Sequence, residues 1–178
     1  MSIQARLERV RLLLFDVDGV LTDGKILMHA DGSESKRFDI KDGTALVWAQ
    51  RAGLRVGFLS ARTSAVTAQR AAQLGVPIVH QGVASKLDAY ELILKEHGLD
   101  DAAVAYMGDD VLDLPVLERA GLSTAPSDAA AEVRGRVDWV SARPGGDGAA
   151  RELVEAVLRA QGHWDGLVAG YLAEGHQA

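Results

Sequence analysis

The sequence predicts an α/β fold, a doubly wound parallel sheet with helices on both faces, and three observations carry that prediction. Short apolar runs alternate along the chain with segments of helical period. The runs lack polar alternation, as strands covered on both faces do. The helical segments stop at glycines: Gly53 follows Ala52, Gly75 follows Leu74, Gly98 follows His97 and Gly121 follows Ala120, each where a left-handed C′ residue is expected. A β-α-β-α order of this kind places ligands at the C-terminal ends of the strands.

The elements follow in order. Arg11–Phe15 (RLLLF) reads as the first strand, then Arg55–Ser60, Pro77–His80, Val104–Met107 and Leu122–Thr124 as its successors. Thr44–Ala52, Ser64–Leu74, Lys86–His97, Leu112–Ala120 and Gly148–Gln161 read as helices. Residues 24–41 interrupt the alternation: Lys25–Met28 and Ser35–Ile40 flank an Asp31-Gly32 turn signal, which predicts a β-hairpin flap projecting after the first strand. The tail at 162–178 has four glycines and no clean period, and is expected as an arm or a frayed end.

The 178 residues, 48% hydrophobic and 25% charged, suffice for one core, so residues 1–178 are expected to form one domain. The chain has no cysteine, which excludes disulfides, thiolate catalysis and Cys-based zinc sites. A net charge of −6 argues against nucleic acid as a partner. No apolar run reaches the length of a membrane span and the start lacks a secretion signal, so a cytoplasmic location is expected. The five histidines show no metal-ligand pairing, and no glycine-rich nucleotide loop is present.

The chemistry concentrates at strand ends. Asp16 and Asp18, in Phe15-Asp16-Val17-Asp18-Gly19, follow the first strand at i and i+2 and can both face the crevice. A second acidic cluster, Gly108-Asp109-Asp110-Val111-Leu112-Asp113, follows the strand VAYM. Carboxylates gathered at one sheet edge repel unless a cation neutralises them, and oxygen ligands select a hard ion, Mg²⁺ first. Ser60 ends the second strand, where its hydroxyl and the following N–H groups can grip phosphate oxygens. Lys86 opens a helix, where a cation opposes the helix dipole and a functional reason for its presence gains weight. The set is equipment for phosphoryl transfer.

These four segments, in this order, resemble the motifs of the haloacid dehalogenase superfamily of phosphotransferases across nearly the whole chain. The resemblance implies a Rossmann-like core, with Asp16 as the nucleophile that becomes an aspartyl phosphate. It implies Asp18 as general acid/base whose backbone carbonyl ligates Mg²⁺, Ser60 as a phosphoryl-binding residue and Lys86 as a charge-neutralising one. Asp109 is implied as a further Mg²⁺ ligand beside Asp16 and Asp18, with Asp110 and Asp113 supporting the shell and Asp113 pairing with Lys86. Asp16, with an ordinary carboxyl pKa of about 3.9, is expected to be ionised at neutral pH. Nearby carboxylates are expected to keep a proton on Asp18 for the leaving oxygen.

Asp18 and Ser60 are 42 positions apart, and Ser60 and Lys86 are 26 apart, so no cap domain fits in either interval. With the segments SAR, QGVASK and GGDGAARE, the chain is similar to the capless 3-deoxy-D-manno-octulosonate (KDO) 8-phosphate phosphatases. That similarity implies a homotetramer of the lipopolysaccharide pathway and a small phosphorylated sugar acid as substrate. It implies substrate contacts from Asp39, Ile40, Lys41, Asp42, Gly43, Arg62, Arg70 and Lys86. Asp147 and Val47 stand where relatives can carry basic residues, which leaves 2-keto-3-deoxynononic acid 9-phosphate as an alternative. A signalling receiver domain shares the Asp, Mg²⁺, Ser/Thr and Lys set, but its acidic pair and phosphoacceptor come in the opposite order.

Overall fold

The computed structural model describes residues 1–174. Six strands form one parallel sheet: β1 (Leu12–Phe15), β4 (Arg55–Leu59), β5 (Ile78–His80), β6 (Val104–Met107), β7 (Leu122–Ala125) and β8 (Trp139–Val140). Their order is β5-β4-β1-β6-β7-β8. The chain winds outward from β1 in one direction and then, through β6, in the other, so the crevice at the reversal lies between β1 and β6. The register pairs Phe15 with Phe58 on one side and with Met107 on the other.

Every residue of β1 is buried, and alternate side chains feed two cores. Leu13 and Phe15 join Leu7, Leu46, Ala49, Val154 and Leu158 on one face. That face is covered by α1 (Ile3–Arg9), α2 (Ile40–Arg51) and α7 (Ala149–Ala160). Leu12 and Leu14 join Tyr90, Ile93, Leu117 and Val133 on the other. There the cover comes from α4 (Lys86–His97), α5 (Leu114–Leu117) and α6 (Ala131–Arg134).

The helices start and stop for local reasons. Ser64 accepts from the Thr67 N–H to cap α3 (Ala65–Leu74), and Ser85 accepts from the Asp88 N–H to cap α4; left-handed Gly75 and Gly98 end them. Gly121 differs from expectation. It is not left-handed, and a Cβ there would lie 2.6 Å from the backbone of Asp101 and Ala102, so it is a close-packing glycine. The helix expected over Leu112–Ala120 is broken: a turn of 3₁₀ helix at Val111–Asp113 precedes α5, because Asp113 turns inward and is fully buried. The tail carries a helix, α8 (Trp164–Glu174), seated through Trp164 against Trp48; residues 175–178 of the expected arm lie outside the described residues.

The stretch expected as a hairpin holds a smaller ribbon. β2 (Leu27–Met28) and β3 (Glu34–Ser35) pair antiparallel, and α2 already begins at Ile40, capped by the Asp39 carboxylate on the Lys41 and Asp42 N–H groups. Between Ser60 and Lys86 the chain makes only α3 and β5. Neither interval contains a cap domain.

Candidate active site

The end of β1 delivers Asp16 and the end of β6 delivers Asp109. The Asp16 N–H donates to the Met107 carbonyl at 2.9 Å, which locks the two strand ends together. Carboxylate oxygens of Asp16, Asp109 and Asp113 then lie within 4.8 Å of one another. Lys86 reaches this cluster from the first residue of α4, its Nζ 2.9 Å from Asp16 Oδ2 and 2.5 Å from Asp113 Oδ1. The cation-at-N-terminus conflict seen in the sequence is thus resolved by two carboxylates.

Asp113 is the hub that holds the cluster in shape. Oδ1 accepts from Lys86 and from the Tyr106 hydroxyl, and Oδ2 accepts from the backbone N–H groups of Asp109 and Asp110 at 3.0 and 3.2 Å. Gly108 permits this, since a Cβ there would lie 2.5 Å from the Asp113 side chain. With both oxygens committed, Asp113 organises the site and leaves ligation to others. Asp110 points away and caps the 3₁₀ turn through the Val111 N–H. Tyr106 is not legible from the sequence, because its place on a fully buried strand gives no sign that its hydroxyl turns to a carboxylate.

The electrostatics are those of an incompletely neutralised cluster. Burial, then Asp113, raises the Asp16 pKa to about 6, above the ordinary value expected, although Lys86 pulls it down. Burial, then Asp16 and Asp113, raises Asp109 to about 8. Burial opposes the charge on Lys86, but Asp16 and Asp113 outweigh it and raise its pKa, so the ammonium persists. Asp109 Oδ1 is buried with no hydrogen-bond partner. Gly19, at φ 96°, lies so close that a Cβ would sit 2.0 Å from Asp109 Oδ2. An orphaned buried carboxyl oxygen, in a group of oxygen donors short of positive charge, fits a hard divalent cation.

Ser60 is buried just past β4, its Oγ accepting from the Arg62 N–H at 3.2 Å. Asp18 departs from expectation. Its direct partners are cations, which the Glu34 carboxylate shares: Lys36 Nζ lies 2.8 Å from Oδ1 and 3.0 Å from Oδ2, and Arg62 Nε 3.6 Å from Oδ2. The reason is the ribbon, which folds back over the crevice and inserts Lys36 beside the Asp18 carboxylate.

The remaining expected contacts form a separate group at the start of α2. Arg70 donates to the Asp39 carbonyl at 3.2 Å and lies over the Phe38 ring, in space that any side chain at Gly43 would take. Ile40 is exposed. Asp42 is buried and caps α7 from a distance, accepting from the Gly148 and Arg151 N–H groups. Lys41 lines an open cavity of about 540 Å³ with Arg143, Asp147 and Arg151. Among the described residues no hydrogen bond or ion pair joins this group to the crevice. The structure thus brings together Asp16, Asp109, Asp113 and Lys86, with Ser60, Asp18 and Arg62 at the rim, and keeps Asp39–Gly43 and Arg70 apart.

Residues 56–153 match the family of haloacid dehalogenase-like hydrolases. The chain belongs to that family. Within it, the 3-deoxy-D-manno-octulosonate 8-phosphate phosphatase KdsC of Escherichia coli K12 is 40% identical over 92% of this chain and 87% of that protein. The corresponding phosphatase of Yersinia pestis superposes with a TM-score of 0.91 at 35% identity, covering 92% of this chain and 89% of the other. That of Moraxella catarrhalis, solved with a magnesium ion, a phosphate ion and KDO, superposes with a TM-score of 0.93 at 32% identity over 95% and 97% of the two chains. Membership in a hydrolase family sets aside the receiver-domain reading, whose motif order already disagreed. In this haloacid dehalogenase-like hydrolase the cluster forms where the ends of two neighbouring central strands, β1 and β6, bring Asp16 and Asp109 together.

Proposed function

We propose that this protein is a Mg²⁺-dependent phosphatase that hydrolyses 3-deoxy-D-manno-octulosonate 8-phosphate to KDO and inorganic phosphate. The observation that carries the reading is the convergence of Asp16 and Asp109, from strands 92 positions apart in sequence, on one crevice that Lys86 leaves undercharged. The similarity to phosphatases of this substrate, over nine-tenths of the chain, supplies the sugar acid.

Asp16, the Asp18 carbonyl and Asp109 would hold Mg²⁺, which when bound offsets the charge of the phosphate and of Asp16. The residues do the rest. Asp16 attacks phosphorus and forms an aspartyl phosphate while the bond to the sugar oxygen breaks. Asp18 gives that oxygen its proton and then takes one from the water that attacks the acyl phosphate, which returns Asp16 and releases phosphate. Lys86 and Ser60 hold the transferring oxygens, and Lys86 keeps Asp16 ionised at neutral pH against the effect of burial. Arg62, half-exposed at the rim, suits the sugar carboxylate.

The proposal includes a cytoplasmic homotetramer. No helix of the described residues is long and apolar enough to cross a membrane. Leu27 and Met28 on the ribbon and Ile40 beyond it are exposed apolar side chains available for subunit contact. In this reading the group at Asp39–Gly43 and Arg70, apart from the crevice within one chain, meets substrate through an adjoining subunit. A phosphate-release screen with Mg²⁺ across sugar-acid, sugar and nucleoside monophosphates tests the assignment. KDO 8-phosphate is expected to give the highest kcat/KM and Asp16→Ala to abolish turnover. A nucleoside monophosphate or 2-keto-3-deoxynononic acid 9-phosphate turned over faster would overturn the substrate.

A further inference from the structure

Lys36 has no place in the roles above, yet its side chain is fully buried, with 0% exposure, in a ribbon whose Leu27 and Met28 face outward. A lone buried ammonium is costly, so the structure must use it or neutralise it. Its Nζ meets both oxygens of Asp18, at 2.8 and 3.0 Å, and donates to Thr67 Oγ1 at 3.4 Å. A hydrogen bond to Oδ2, with the same ammonium in ion-pair contact with Oδ1, restrains the rotation of the carboxylate as well as its place. The segment that delivers Lys36 is itself pinned. Glu34, two residues earlier, accepts from Ser64 Oγ at 2.5 Å and from Arg62 Nη2 at 3.1 Å. The anchors come from the loop after β4 and the start of α3, where Thr67 and Ser64 are buried. A ribbon with two-residue strands has little stability alone, so these contacts, rather than its own ladder, set its position.

We infer that Lys36 is the positioning residue for Asp18: the ribbon inserts its ammonium behind the carboxylate and aims that carboxylate at the leaving oxygen. The inference rests on the proposed role of Asp18, and it makes the ribbon part of the catalytic apparatus. Loss of aim should slow the step that needs a delivered proton and leave substrate affinity and the attack by Asp16 largely intact.

The discriminating comparison is between leaving groups. A sugar alkoxide needs its proton, whereas p-nitrophenolate departs without one. Lys36→Met in the full chain with Mg²⁺ is expected to lower kcat for KDO 8-phosphate by about 10- to 100-fold. KM should move less than about 3-fold and turnover of p-nitrophenyl phosphate less than about 3-fold, with Lys36→Arg recovering part of the aliphatic rate. Equal losses on both substrates, or a rise in KM alone, would overturn the inference. If Lys36→Met does not fold, the same comparison is made with Lys36→Gln, which is polar and too short to reach both oxygens. If the wild type cleaves another aliphatic phosphate and not KDO 8-phosphate, the substrate assignment fails, and that ester replaces it in the comparison, which decides Lys36 unchanged.

Discussion

Magnesium and protons should compete for this site, and the structure sets the scale of the competition. Without the ion, burial and the carboxylates of Asp16 and Asp113 hold the Asp109 pKa at about 8. At pH 7 Asp109 is then protonated in about nine molecules of ten, and an ion that ligates its carboxylate must displace that proton. The apparent affinity for Mg²⁺ should therefore fall about 5-fold between pH 8 and pH 7 and about 15-fold by pH 6.5, and more steeply below pH 6, where Asp16 also takes a proton. Isothermal titration calorimetry in buffers of different ionisation enthalpy counts the protons: about 0.9 should be released per ion at pH 7, and close to none at pH 9. The sign for stability follows. A carboxyl whose folded pKa is raised stabilises the protein below its unfolded pKa and loses that contribution as pH rises through the folded value. The ion-free protein should melt at lower temperature as pH climbs from 5 to 8, with added Mg²⁺ restoring the loss. An affinity that stays flat from pH 6 to 8, with no proton released at pH 7, would refute the placement of the ion at Asp109.

Three further outcomes follow from single contacts. Lys86→Met leaves two buried carboxylates without their counter-charge and should cost about 3–5 kcal/mol in urea unfolding, together with a turnover loss beyond 100-fold in initial rates. Gly19→Ala forces a Cβ to within 2.0 Å of Asp109 Oδ2 at a φ of 96°, so Mg²⁺ affinity should drop at least 10-fold by calorimetry while the far-UV spectrum is kept. Burial raises the Asp42 pKa to about 6 despite the two N–H donors of α7. Its contribution to stability is present below pH 4 and lost as pH rises through 6, so Asp42→Asn, which stays neutral, should flatten the fall of the unfolding free energy between pH 4 and 7.

Much of this could be read from residues alone, and the failures have physical causes. β1 and β6 were legible because a strand covered on both faces must be apolar at every position, and the end of α4 because Gly98 follows its last helical residue. The pairing of Asp113 with Lys86 was expected on resemblance and is present. α1 escaped because seven residues carry almost no period; it is tied down by long-range bonds from Gln161 to the carbonyls of Leu7 and Val10. β8 has two residues and borrows its order from β7. The nature of the groups around Asp18 was misjudged because no local pattern distinguishes a hairpin lysine in water from one folded under the sheet edge. Periodicity reports on neighbours along the chain, and these contacts are made by neighbours across it.

Gly145 and Gly146 press against the turn that carries the acid groups: a Cβ at Gly145 would lie 1.8 Å from the Gly19 carbonyl, and the Gly146 N–H donates to the Val20 carbonyl at 2.9 Å. The prop for the first functional turn is thus made more than a hundred residues after it. During synthesis Asp16 leaves the ribosome early, while the glycines that seat its turn are still untranslated. The nascent chain therefore lacks the prop for that turn until Gly146 has been added.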